Sequence, residues 1–397
     1  VLFAGIMHGF KESAMLKTDI AFREYYNPLP GLTIGTIVEW EAMADRGDFA
    51  ELTWFWRHAA RVDVTVGSAI FNRLSTLNGL QYQIKLREDK AQDPLAAEQA
   101  QVLRSVYEAC SNFKSAVKDL AMGLFYGFAV CEKNATPGLQ DVWTLDYIEP
   151  WFWTRDPVTR ELMFNERALS HCGMPEKVPR ERLVIFKSEP PLFLSIGRQV
   201  YWKLLCGADW DAALAVSANP SIFFTARDGA TAEEKTDLQA IANGIASNGR
   251  GVLPHGTVVS TVDPTGQRGR MPFKERTDYC DQQIVMAATG GLLTMLSQSG
   301  SGTLAGGAHA DTLLRLAAGD AALLSECLQR DVDKVALDRF FPGQPHYAYF
   351  EFEIPKPTDV GALLEQVANL SWAGFAPDQA WLEEQTGMKL NPLNPPA

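Results

Sequence analysis

No stretch of this chain holds the roughly 18–20 uninterrupted apolar residues that a membrane-spanning helix needs. Its opening residues, from Val1 to Met7, form too short an apolar run and lack the basic flank of a secretory signal. Six cysteines, Cys110, Cys131, Cys172, Cys206, Cys280 and Cys327, are scattered with no CxxC pair and no knot-like spacing. That argues against a disulfide framework and fits buried thiols in a reduced, cytosolic compartment. Positive charge is scarce too. Thirty-six basic against 48 acidic residues leave a net charge of −12, the wrong sign for a tight grip on nucleic-acid phosphates, though not for a surface that DNA slides past.

Signatures of catalysis are missing as well. The chain carries neither GxxxxGK[ST] nor GxSxG, and no lysine lies between Lys274 and Lys334 to meet a phosphate in its most glycine-rich stretch. His8, His58, His171, His255, His309 and His346 stand alone in sequence, none at HxxxH or HExxH spacing, and the pair His171-Cys172 is not by itself a zinc site. Glu233-Glu234 and Glu383-Glu384 sit where helix starts place acids. Asp278 and Asp281 share a helix face at i, i+3, but no further carboxylate converges on them, so a solvated or subunit-facing role outweighs a metal site. No catalytic residue, cofactor or metal is therefore expected. An enzyme of unrecognised type stays as the weakest reading.

What is present is ordinary globular material, 397 residues with 46% hydrophobic and 21% charged, enough for two or three domains. Ten tryptophans, several beside other aromatics as in Trp54-Phe55-Trp56 and Trp151-Phe152-Trp153, imply large packed or interfacial surfaces. Residues 1–35 read as an extended arm that gains stability only by lying on its own domain or on a neighbour. Helices are expected over 36–44, from an Asp48 cap through 49–74, over 94–109 and over 112–126. Strands are expected over 80–86, 127–133, 141–148 and 182–187, with a hairpin over 152–164 turning at Asp156-Pro157. Helices followed by closely spaced strands make this part an α+β domain.

Beyond Pro190-Pro191 a helix of about twenty residues spans 197–217. A small α/β module follows, with strands at 221–226 and within 251–262 and a helix opened by the capping box from Thr231 to Glu234. A second long helix returns over 278–296, so the layout is a stalk carrying a small head. Ser297, Gln298, Ser299, Gly300, Ser301, Gly302, Thr303, Leu304, Ala305, Gly306, Gly307 and Ala308 then form a Gly/Ser-rich loop. Its composition does not hold one backbone conformation unaided. Helical periodicity resumes near Asp311 and lasts to about Phe341. A strand at 346–353, short helices at 359–370 and 377–386, and a Pro-rich tail close the chain. Arg268, Arg270, Lys274 and Arg276 are the densest basic group; they are either a solvated hinge or a contact for an acidic partner or DNA phosphates.

These pieces together resemble the portal proteins of tailed bacteriophages, in the Mu-type branch. The resemblance is carried by 64–74 leading to 80–86, by 118–130, by Leu183-Val184-Ile185-Phe186 and by 197–203. It is most diagnostic over 284–320, with Thr289-Gly290-Gly291-Leu292-Leu293-Thr294, Gly300-Ser301-Gly302 and Ala308-His309-Ala310-Asp311. It is loose in the first forty residues. It implies an α+β, portal-like subunit: an N-terminal arm (1–39), the first part of an α/β wing (40–196), stem helix 1 (197–218), a small α/β clip (219–272), stem helix 2 (273–296), a tunnel loop facing DNA (297–308), a long wing helix (309–341) and a C-terminal wing or crown remnant (342–397).

By the same resemblance the chain is a structural protein, not an enzyme. It would form a homo-oligomeric ring, usually of twelve, at one capsid vertex of the virion, assembled in the bacterial host cytoplasm. Double-stranded DNA would pass through that ring in packaging and ejection, and capsid protein, terminase and head-tail adaptors would be its partners, with no membrane involved. The alternative is a non-portal oligomeric adaptor or scaffold of a phage-like particle.

Overall fold

Local capping decides where the first helices start and stop. The structure, a computed structural model, describes residue 16 and residues 26–135, 142–168, 173–218, 221–245, 256–262, 272–291, 303–353, 360–372, 374, 378–379 and 382–383. Helix α1 (Ile34–Arg46) begins after Thr33, whose hydroxyl accepts from the Thr36 N–H at 3.2 Å, and ends at Gly47. Gly47 has φ +105°, and a Cβ there would lie 2.6 Å from the Arg155 carbonyl, so a glycine is required.

The single helix expected over 49–74 is two. Helix α2 (Ala50–Val62) stops at Asp63, which is extended and caps α3 (Val64–Asn78) by accepting from the Val66 N–H at 3.0 Å. A carboxylate that satisfies free N–H groups ends one helix and opens the next. Trp54, Phe55 and Trp56 in α2 are all buried because two cores meet on this helix. Leu52, Phe55, Trp56 and Ala59 serve the larger core, Ala50 and Trp54 the smaller. Trp54 sets its ring at 84° to Trp151, and Arg57 lies over both.

The chain continues through β1 (Tyr82–Leu86), α4 (Pro94–Glu108), α5 (Phe113–Ala121), the single turn α6 (Gly123–Tyr126), β2 (Phe128–Ala135), β3 (Trp143–Ile148), β4 (Trp153–Arg155), β5 (Leu162–Phe164) and β6 (Leu183–Lys187). Helix α7 (Leu192–Ala218) starts directly after Pro191, five residues earlier than the sequence pattern suggests, because proline precedes a first turn without loss of a needed N–H. Strand β7 (Ser221–Thr225), α8 (Ala232–Ile245) and β8 (Val258–Val262) form the small module, and α9 (Phe273–Thr289) follows. Helix α10 (Thr303–Leu328) passes through a π turn at Gln329–Asp333 into α11 (Lys334–Phe340); β9 (Ala348–Phe352) and α12 (Val360–Trp372) come last.

All strand pairs are antiparallel. Strand β2 lies between β3 and β6, with Val130 opposite both Ile148 and Ile185, and its first six residues are buried. Strands β4 and β5 form the expected hairpin, its turn set by Asp156 accepting from the Val158 and Thr159 N–H groups. Strand β1 pairs with β9, from Tyr82 opposite Phe352 to Leu86 opposite Ala348, so the last strand completes the unit that the first helices begin. In the small module β7 pairs with β8, and Thr231 and Glu234 exchange the two hydrogen bonds of a capping box. A second strand within 251–255 lies outside the described residues.

At the π turn Asp331, Val332 and Asp333 are buried in succession, because one turn faces three neighbours. Asp331 accepts from Arg180 (2.6 Å), Arg330 (2.8 Å) and the Ile185 N–H (2.8 Å). Burial works against its charge, but these hydrogen bonds outweigh it and hold the carboxyl below its usual range. Lys133, donating to the Asp331 carbonyl, is pushed down to about 8 by burial. Asp333 accepts from the Tyr107 hydroxyl (2.6 Å) and the Phe350 N–H (2.7 Å), and burial pushes it up to about 6.

Candidate functional site

Helices α7 and α9 pack antiparallel, a register fixed by three successive contacts. Lys203 of α7 meets Asp281 of α9; Cys206 lies against the Phe273 carbonyl (3.4 Å) and Thr277; Trp210 stacks on Phe273, with planes 13° apart. At 1.5 Å per residue the 27 residues of α7 span about 40 Å. Its first half is rooted in the large core through Phe193, Ile196 and Val200, and Gly197 passes so close to Trp56 that a Cβ would lie 2.9 Å from the indole nitrogen. Among the described residues its second half packs mainly on α9, and there Leu204, Leu205 and Leu214 are exposed, Leu214 by 52%. At 100° per residue these three leucines point in different directions, so one neighbouring helix does not bury them all.

Two ionic clamps, one half-buried and one buried, join this helix pair to the rest of the subunit, and both involve α3. Lys203 is held by Asp63, the α3 cap, at 2.6 Å and by Asp281, which also accepts from the Thr65 hydroxyl at 2.7 Å. Burial alone would lower the Lys203 pKa, but the hydrogen bonds to Asp281 and Asp63 dominate and raise it. Farther along α3, Arg73 grips Asp320 of α10 with two bonds of 2.9 Å and donates a third, at 2.7 Å, to the Ala288 carbonyl of α9. Asp281 is thus consumed by a lysine and a threonine while Asp278 faces outward, so the two do not converge as metal ligands. Among the described residues no group of three His, Cys, Asp or Glu is placed to hold a metal.

Of the four basic residues singled out in the sequence, Lys274 and Arg276 lie exposed on the first turns of α9. The Arg276 guanidinium stacks over Trp202 of α7 (5.5 Å) and over Tyr279 (5.6 Å). Arg268 and Arg270 lie outside the described residues. So does 292–302, which contains the first six positions of the Gly/Ser-rich stretch and the end of the helix expected to reach 296. That helix stops at Thr289 on a left-handed Gly290 (φ +70°). Residues 303–308, expected as loop, are instead the first turns of α10, eight residues ahead of Asp311. The ionic clamps carry no sequence signal: Arg73 and Asp320 are 247 positions apart, and each alone reads as a surface charge.

Among curated proteins none has a sequence that matches this chain. Solved structures do share its fold. A chain from a structure described as the neck of an empty GTA particle computed with C6 symmetry matches with a TM-score of 0.52 at 13% identity, over 85% of this chain and 93% of that one. One from the virion of a native gene transfer agent (GTA) particle gives 0.51 at 10% identity, over 97% and 99%. One from the neck of a native GTA particle computed with C12 symmetry gives 0.50 at 12% identity, over 87% and 92%. The fold is thus one that this chain shares with chains of gene transfer agent particles. The family model described as portal protein of Mu bacteriophage matches residues 56–388, and the chain belongs to that family. It is a phage portal protein, a subunit of the portal ring.

Proposed function

We propose that this chain is the subunit of a twelve-fold portal ring at one capsid vertex, assembled in the bacterial host cytoplasm. Double-stranded DNA is packaged and ejected through its axis, terminase docks on it during packaging, and head-tail adaptors replace the motor afterwards. The observation that carries this reading is the second half of α7. A helix that leaves apolar side chains uncovered on several sides among the described residues offers a surface for further protein. A ring of identical subunits supplies that cover through a heterologous contact that closes on itself. Twelve copies agree with the C12 symmetry of one similar neck structure.

Residues 197–218 and 273–296 serve as the stem, 219–272 as the clip and 297–308, of which 303–308 begin α10, as the channel-facing segment. Among the described residues the exposed stem charges Asp209, Asp211, Glu275 and Asp278 outnumber Arg198, Lys274 and Arg276. Such a wall releases few counterions from the duplex and leaves it free to move. Leu205→Glu combined with Leu214→Glu tests the reading. Native mass measurement is expected to find the wild type as closed rings and the variant as folded, unassembled subunits. Rings of unchanged size in the variant would remove α7 from the interface.

A further inference from the structure

We propose that Arg73 is the positioning residue for the channel loop, fixing both of its anchoring helices relative to each other. This rests on the reading of 297–308 as the loop that faces DNA. The chain leaves α9 at Gly291 and re-enters the described structure at Thr303 in α10, so whatever sets the relation of these two helices sets the span of the segment between them. The Arg73 side chain and the close packing of Gly290 on α10 do so. The Arg73 guanidinium, in a residue only 8% exposed, chelates the Asp320 carboxylate of α10 (4% exposed) with Nε and Nη2. Its remaining nitrogen, Nη1, donates to the Ala288 carbonyl, in the last turn of α9.

Beside this, the Thr289 hydroxyl lies 2.8 and 2.9 Å from the Val285 and Gly291 carbonyls and donates its one proton to either. Gly290 presses on α10 so closely that a Cβ would lie 3.1 Å from Leu316 and 3.4 Å from Thr312. A guanidinium suits this position because its planar fork serves a carboxylate with two donors and still offers a third; an ammonium on the shorter lysine stem does not reproduce the geometry. Arg73 itself sits on α3, whose other end is tied through Asp63 to Lys203 of α7. One helix of the wing thus holds α7, the end of α9 and the body of α10.

Truncating one partner would strand a buried charge, so the test replaces both, with Arg73→Met and Asp320→Leu. Exchanging a buried ion pair for apolar residues of similar volume is often neutral or stabilising. The measurement is backbone hydrogen exchange on the assembled full-length protein, together with DNA retention in filled particles. Amides of 286–291 and 312–320 are expected to exchange at least about tenfold faster, with the thermal midpoint and ring mass unchanged and DNA retention reduced. Unchanged exchange overturns the tether, and faster exchange with normal retention overturns its positioning role. Should the double variant fail to fold, Arg73→Lys keeps the charge pair, loses the fork and is read in the same two ways. A wild type that forms no ring or holds no DNA would defeat the proposed function, while the exchange result would still decide whether Arg73 holds the two helices together.

Discussion

Asp333 shows how much a single side chain is asked to do here. It joins the π turn to β9 through the Phe350 N–H and to α4 through the Tyr107 hydroxyl, and burial lifts its pKa to about 6. The folded protein therefore holds a proton between about pH 4 and 6 that the unfolded chain has already lost. Stability should fall as pH rises through this window, and above it the ionised, buried carboxylate costs about 3 kcal/mol at 1.36 kcal/mol per pKa unit. Urea unfolding at pH 4 and pH 7 checks this: Asp333→Asn should lose most of that pH dependence. The same difference between the two pH values in variant and wild type would show that another group titrates. Gly47 is the second position with no freedom. Gly47→Ala combines a positive φ with a 2.6 Å approach to the Arg155 carbonyl, and a loss of at least about 1–3 kcal/mol is expected in the same assay.

Among elements, α3 is the one on which the stem hangs. Its cap Asp63 does two jobs, accepting from the Val66 N–H and pairing with Lys203. The two roles are separable. Asp63→Asn keeps a good cap and loses the charge, whereas Asp63→Ala loses both, so alanine should be about 1 kcal/mol worse than asparagine in urea unfolding. Equal losses would mean that the cap contributes nothing beyond the ion pair. Lys274→Glu with Arg276→Glu, on the exposed start of α9, should cost no more than about 1 kcal/mol of stability. The reversal should weaken DNA guidance or adaptor docking. Normal docking and packaging in that variant would make these residues a solvated hinge.

Much of the element order was legible in advance: alternation marked β1 and β9, Asp156-Pro157 marked the hairpin turn, and Thr231 with Glu234 marked the start of α8. What escaped depended on tertiary context. Asp63 lies inside a run with helical spacing, and only its cap geometry reveals the break. Gly306 and Gly307 argue for loop by propensity, yet a helix that is already propagating adds a hydrogen bond per residue and carries them. The π turn and the clamps on α3 join residues far apart in sequence, and no local pattern announces them.

For the whole molecule, the two cores and the paired β1 and β9 make a packed body, while among the described residues the second half of α7 leaves apolar surface uncovered. That asymmetry is the physical case for the proposed assembly. The net charge of −12 belongs at this scale too, since in the proposed ring acidic subunits would let a polyanion pass without holding it. The measurement that bears most directly on this is the mass and axial image of the assembled particle. A closed ring near twelve copies, with an axial opening wide enough for a DNA duplex, is the expected result; a monomer or dimer at every concentration, salt and pH would contradict it.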